Sequence, residues 1–227
     1  MEQTEAEAKR RQDFLDWDAE HVFPETIGTY RFHRIDRQEE RIYFAFGYLD
    51  EETGWDVRVL YDDETQDFMV KAYARLFTLT FIDMINGDFE TFKEKAALLL
   101  AGNIKRQLLD RRLSVVVQGR GFTVWDFASY LPEKIGNFKR MIAPDAPILG
   151  LNGSYIIATY ENREEELGIL FFYNMFRDEY YAEKYAKGIP IILHDYDAKT
   201  IEEFSEILKS KLTEDLEAAE KTFTMSN

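Results

Sequence analysis

FLDWDAEHVFPETIGTY, residues 14 to 30, and FTVWDFASYLPEKIGNF, residues 122 to 138, say nearly the same unusual thing 108 residues apart. Aligned without gaps, Phe14 meets Phe122, Trp17 and Asp18 meet Trp125 and Asp126, Pro24 and Glu25 meet Pro132 and Glu133, and Ile27 and Gly28 meet Ile135 and Gly136. Tryptophan occurs three times in the whole chain, so its return inside such a run is hard to ascribe to composition. Past Tyr30 the spacing becomes 112 and the agreement resumes, with Tyr43, Tyr48, Tyr61, Tyr73, Phe92 and Leu100 meeting Tyr155, Tyr160, Tyr173, Tyr185, Phe204 and Leu212. The added residues fall in MIAPDAPILGLNG, residues 141 to 153, whose prolines and glycines mark a loop, where insertions are tolerated.

This pattern predicts a tandem duplication, with copy one at residues 10–112 and copy two at 118–227. The fold class expected is α+β. In each copy an N-terminal helix ends at the Pro-Glu-x-Ile-Gly motif, because proline cannot continue a helix and glycine accepts the positive φ of a turn. An antiparallel meander of four or five strands follows, read from TYRFHRI, RIYFAFGYL, WDVRVLY and DFMVKAYARL in copy one and from SYIIATY, LGILFFYNM, EYYAEKYA and IPIIL in copy two. A longer C-terminal helix then covers one sheet face. It carries Phe89, Phe92, Ala96, Leu100, Ile104 and Leu108 behind an Asp88 cap, or Ile201, Phe204, Leu208, Leu212 and Leu216 behind Thr200. Such thin cores imply that the two copies pack together as one globular unit.

Composition narrows the partners. The chain has 227 residues, 45% of them hydrophobic and 15% aromatic, a globular and not a disordered composition. With 43 acidic against 28 basic residues the formal net charge is -15, a field that repels nucleic acid and acidic membrane surfaces and leaves open a basic protein, a peptide, a cation or a neutral small molecule, of which a protein or peptide partner is the expectation. No cysteine is present, which rules out disulfides, thiolate metal sites and a cysteine nucleophile. The polar first residues and the absence of a long apolar run predict a cytoplasmic protein without a membrane span.

No catalytic signature emerges, and no cofactor is expected. Binding candidates are Trp17 with Asp18 and Trp125 with Asp126, where an indole wall and a carboxylate acceptor would line twin pockets, and the phenols of Tyr48 and Tyr160. HDYD at 194–197 offers a metal alternative through His194, Asp195 and Asp197, although that spacing on a turn matches no established ligand pattern. DDETQD at 62–67 reads as a hairpin turn and not a calcium loop. The function expected is a non-catalytic protein- or peptide-binding module, chaperone-like or inhibitory; the alternative is an enzyme with its site in a groove between the copies.

Overall fold

The computed structural model describes residues 5–119, 121–164, 166–186 and 188–224, so Arg120 of the expected second copy and both ends of the sequence lie outside them. The chain divides into two compact units, residues 1–109 and 110–227. In the first, helix α1 (Glu5–Leu15) precedes strands β1 (Thr26–Ile27), β2 (Tyr30–Glu39), β3 (Ile42–Asp50), β4 (Trp55–Asp62), β5 (Asp67–Ala74) and β6 (Phe77–Thr80), and helix α2 (Phe89–Ile104) follows. These six strands form one antiparallel sheet in chain order. The second unit holds β7 (Lys134–Ile135), β8 (Phe138–Ile142), β9 (Ile148–Leu149), β10 (Ser154–Asn162), β11 (Leu167–Asn174), β12 (Glu179–Ala186) and β13 (Ile189–Ala198), then helix α3 (Ile201–Thr224). Its seven-stranded sheet runs β13-β12-β11-β10-β8-β7, with β9 paired to β10.

The expected duplicated helix-sheet-helix pattern is not found. The described residues contain three α-helices, and the second unit has none before its sheet: FTVWDFASYL forms two 3-10 turns, Gly121–Val124 and Phe127–Ser129. In the first unit α1 stops at Leu15, well short of Pro24, and a 3-10 turn at Ala19–His21 intervenes. The reason lies in the Trp-Asp pair. Asp18 and Asp126 take φ,ψ of -74°,64° and -79°,81°, outside the helical region, and each opens a short turn. Phe122, Thr123, Val124, Trp125 and Phe127 add a run of β-branched and aromatic residues that hold helix poorly, whereas EAEAKRRQ favours it. The proline is therefore not a helix terminator in either unit.

What the two stretches do share is a corner. Ile27 pairs with Tyr30 and Ile135 with Phe138, so a two-residue turn links β1 to β2 and β7 to β8. Gly28 and Gly136 occupy the first turn position at φ of 63° and 56°, where a Cβ is strained. The amides of Phe32 and Arg140 donate to the carbonyls of Glu25 and Glu133, each at 2.9 Å. From the next long strand, Tyr48 and Tyr160 donate their hydroxyls to the carbonyls of Pro24 and Pro132 at 2.7 and 2.5 Å.

The hairpins follow the expected periodicity. Asp62 closes the 62–67 turn by accepting from the Glu64 amide, and Asn174 does the same for Phe176 in the turn before β12. FTLTFI gives a separate strand, β6, through a two-residue turn after Ala74. HDYD, expected as a turn, instead belongs to β13.

One face of each sheet is closed by the helix that follows it. Asp88 caps α2 by accepting from the Thr91 amide, and Phe89, Phe92, Ala96, Leu100 and Ile104 are buried. Phe92 meets Phe68 of β5 at a ring separation of 5.7 Å. The Thr200 hydroxyl accepts from the Glu203 amide at the start of α3, whose Phe204, Leu208, Leu212 and Leu216 join Phe171, Tyr180 and Tyr196 in one apolar cluster. Each fully buried side chain of this kind contributes about 1.5–3 kcal/mol.

Valine at either corner glycine should cost about 1–3 kcal/mol, because a β-branched residue resists positive φ. Gly28→Val should cost the more, since its Cβ would lie 2.5 Å from Leu109 Cδ1, while nothing approaches a Cβ at Gly136 closer than 4.0 Å. Urea midpoints of both variants beside the parent test this; unchanged midpoints would remove the corner explanation.

Candidate functional site

The four aromatic candidates face inward. Trp17 is 9% exposed and ringed by Phe23, Phe46, Phe89 and Phe92 at centroid separations of 5.4–6.2 Å. Trp125 is half-buried, stacks on Tyr130 and packs against Phe204; its shielded indole N–H has no hydrogen-bond partner among the described residues. Asp18 and Asp126 point to solvent, and Asp18 pairs with His21 Nδ1 at 2.7 Å. Indole and carboxylate thus part company in both units, the ring turned to the core and the carboxylate to solvent. Tyr48 and Tyr160 are fully buried, their hydroxyls engaged at the corners.

The HDYD residues also separate. His194 Nδ1 lies 2.9 Å from Asp197, while Asp195 turns to Lys211 of α3 at 2.6 Å. The Lys211 hydrogen bond and charge hold the Asp195 carboxyl below its usual pKa. Tyr196 points the other way and donates to Asp215 from within the core. Among the described residues no three histidine, aspartate or glutamate side chains are placed to share a metal.

The geometry instead brings together residues around β12 and β13. A cleft of about 560 Å³ is floored by Tyr181 and Glu183 of β12 and by Ile192 and His194 of β13. Asn152, Arg177, Lys199 and Glu203 also line it, and Arg177 and Lys199 meet at Glu179. Tyr181 is fixed as a rigid wall: its ring lies 4.7 Å from Phe172 and 7° from parallel, and its hydroxyl donates to Ser154 Oγ. Glu179 accepts from Lys199 and pairs with Arg177, and the Lys199 hydrogen bond lowers its pKa.

Among the described residues β13 ends the sheet and pairs with a strand along one side only. Its Ile189, Ile191 and Ile192 are 65%, 50% and 57% exposed, and Phe176 beside Arg177 is 75% exposed. Pro190 supplies no amide donor, so the open donors begin beyond it. An edge strand with apolar side chains on both faces, next to a cleft, is a template for a further strand. IPIIL reads as a strand from sequence, and its proline was the signal for an edge position. The exposure of its isoleucines had no signal, since such runs also fill sheet centres.

No protein-family model, curated protein or solved structure matches the chain.

Burial pushes the Tyr48 hydroxyl up to about 12. An unfolded tyrosine titrates near 10, so this contribution to stability is complete below about pH 10 and is lost as pH climbs through about 12. Tyr48→Phe should cost about 1 kcal/mol at neutral pH and give a shallower alkaline decline of the urea midpoint than the parent. Identical alkaline slopes would show that the phenol is not held neutral in the fold.

Proposed function

We propose that the protein is a non-catalytic binding module whose second unit takes an extended segment of another protein along β13. The observation that carries this is the open β13 edge, with Ile189, Ile191 and Ile192 exposed beside the cleft. Strand addition draws affinity from main-chain hydrogen bonds and specificity from alternate side chains, every second one of which would drop toward Tyr181 and Ile192. Charge selects the occupant. Glu179, Glu183, Asp197 and Glu203 outnumber the two cations of the lining, Arg177 and Lys199, in a chain whose net charge is -15. The segment that fits alternates apolar residues with lysine or arginine.

A labelled peptide of alternating valine and lysine should raise its fluorescence anisotropy on titration with the full chain. Ile192→Lys places a cation where the apolar contact and the acidic field are needed, and should weaken binding about tenfold or more, equivalent to about 1.4 kcal/mol. A peptide with glutamate in place of lysine should bind less. Equal affinities for both peptides and for the variant would overturn the reading.

A further inference from the structure

A second feature lies in the first unit, away from β13, and rests on different observations. One row of directly opposed residues crosses its sheet: His33 of β2 faces Gly47 of β3, Gly47 faces Arg58 of β4, and Arg58 faces Lys71 of β5. Directly opposed residues project to the same sheet face, with adjacent Cβ atoms about 5 Å apart. Two lasting cations and a histidine therefore share one line, with a gap at the glycine.

The gap is used. A Cβ at Gly47 would lie 2.9 Å from His33 Nε2 and 3.1 Å from Asp56 Oδ1. Without it, the imidazole reaches across β3 and puts Nε2 2.8 Å from Asp56 Oδ1. The second carboxylate oxygen accepts from Arg58 Nε at 2.7 Å. Asp56 is 8% exposed; burial alone would raise its pKa, but hydrogen bonds and charge from His33 and Arg58 prevail and hold it below the usual value. When Nε2 donates to the carboxylate in the neutral ring, Nδ1 of His33 remains an acceptor.

Charge on this row is only partly compensated: Asp56 pairs with Arg58, and Lys71 has no ion pair among the described residues. Arg58 spends Nε on Asp56 and rests its guanidinium against Tyr73 and Phe44, at 4.8 and 5.3 Å from the ring centroids. Its terminal nitrogens make no hydrogen bond among the described residues, and Lys71 has neither a hydrogen bond nor an ion pair there. Like charges directly opposed on a sheet are destabilising. A chain with 43 acidic residues did not lack the means to neutralise Lys71 as well.

We propose that His33, Arg58 and Lys71 form a binding site for a compact oxyanion, a phosphate or carboxylate group of a small molecule. The Arg58 terminal N–H groups offer the planar fork that suits such groups, and Lys71 supplies the second charge. Asp56 and Tyr73 hold the fork in place. The net charge of the chain does not oppose this, because at physiological salt exposed charges beyond about 8 Å are screened. A protonated oxygen on the ligand would donate to His33 Nδ1.

Titration calorimetry of the full chain with inorganic phosphate, and separately with acetate, at constant ionic strength tests the site. Saturable heat with phosphate alone assigns a phosphate ligand, and with acetate alone a carboxylate; either supports the proposal if Lys71→Gln weakens binding tenfold or more and Lys71→Arg retains it within a few fold. Lys71 is a half-buried strand residue whose side chain has no hydrogen bond or ion pair among the described residues, so a melt of each variant near the parent's confirms folding. No saturable heat with either anion, or heat that Lys71→Gln leaves unchanged, overturns it. Peptide binding at β13 is read by a separate assay, so one result does not decide the other.

Discussion

Each sheet starts from a buried phenol tied to a proline carbonyl. A hydroxyl withdrawn from water must find a partner or cost about 1–3 kcal/mol, and Tyr48 and Tyr160, both fully buried, find theirs at Pro24 and Pro132. That single bond fixes where the corner lies against the middle of the sheet. With the corner placed, Ile27 must pair with Tyr30 and Ile135 with Phe138, and the alternation of every later strand is set. A slip by one residue would turn Val57, Val59 and Tyr61 from the core face to the other. The glycines at 28 and 136 let the chain reverse tightly enough to bring the proline carbonyl within reach.

The strands and the two long helices were legible because periodicity is a local property. Asp88 as a cap, the 62–67 turn and the alternation of WDVRVLY need nothing from outside their own segments. The helix expected over FTVWDFASYL failed because its aromatic rows satisfy a helical spacing equally well when two short turns bury them against α3. Tertiary packing outweighed pattern. HDYD looked like a turn by composition, yet Tyr196 is drawn into the core by Asp215 and carries its neighbours into the strand.

The sites were less legible than the fold, and the tyrosines show why. Sequence identifies a phenol but not the direction in which it points; Tyr48 turns inward and Tyr181 toward a cleft, and both sit in alternating strands. His33, Asp56 and Arg58 are scattered along the chain and meet only through strand register, so no spacing motif records them. A glycine in the middle of RIYFAFGYL was the one local trace, since such a residue weakens a strand unless something must pass close by.

In both sheets the long strands pair in chain order, and this has a consequence for the nascent chain. As the second unit is synthesised, its sheet can grow hairpin by hairpin, each closing only a short loop. Helix α3 is made after all the strands, and it brings Phe204, Leu208, Leu212 and Leu216 to Phe171, Tyr180 and Tyr196. At ribosomal rates of about 5–20 residues per second, the 24 residues of α3 take on the order of one to five seconds to appear. For that interval the newborn sheet presents a bare aromatic face, and its safe completion rests on the ribosome delivering one amphipathic helix before another chain arrives.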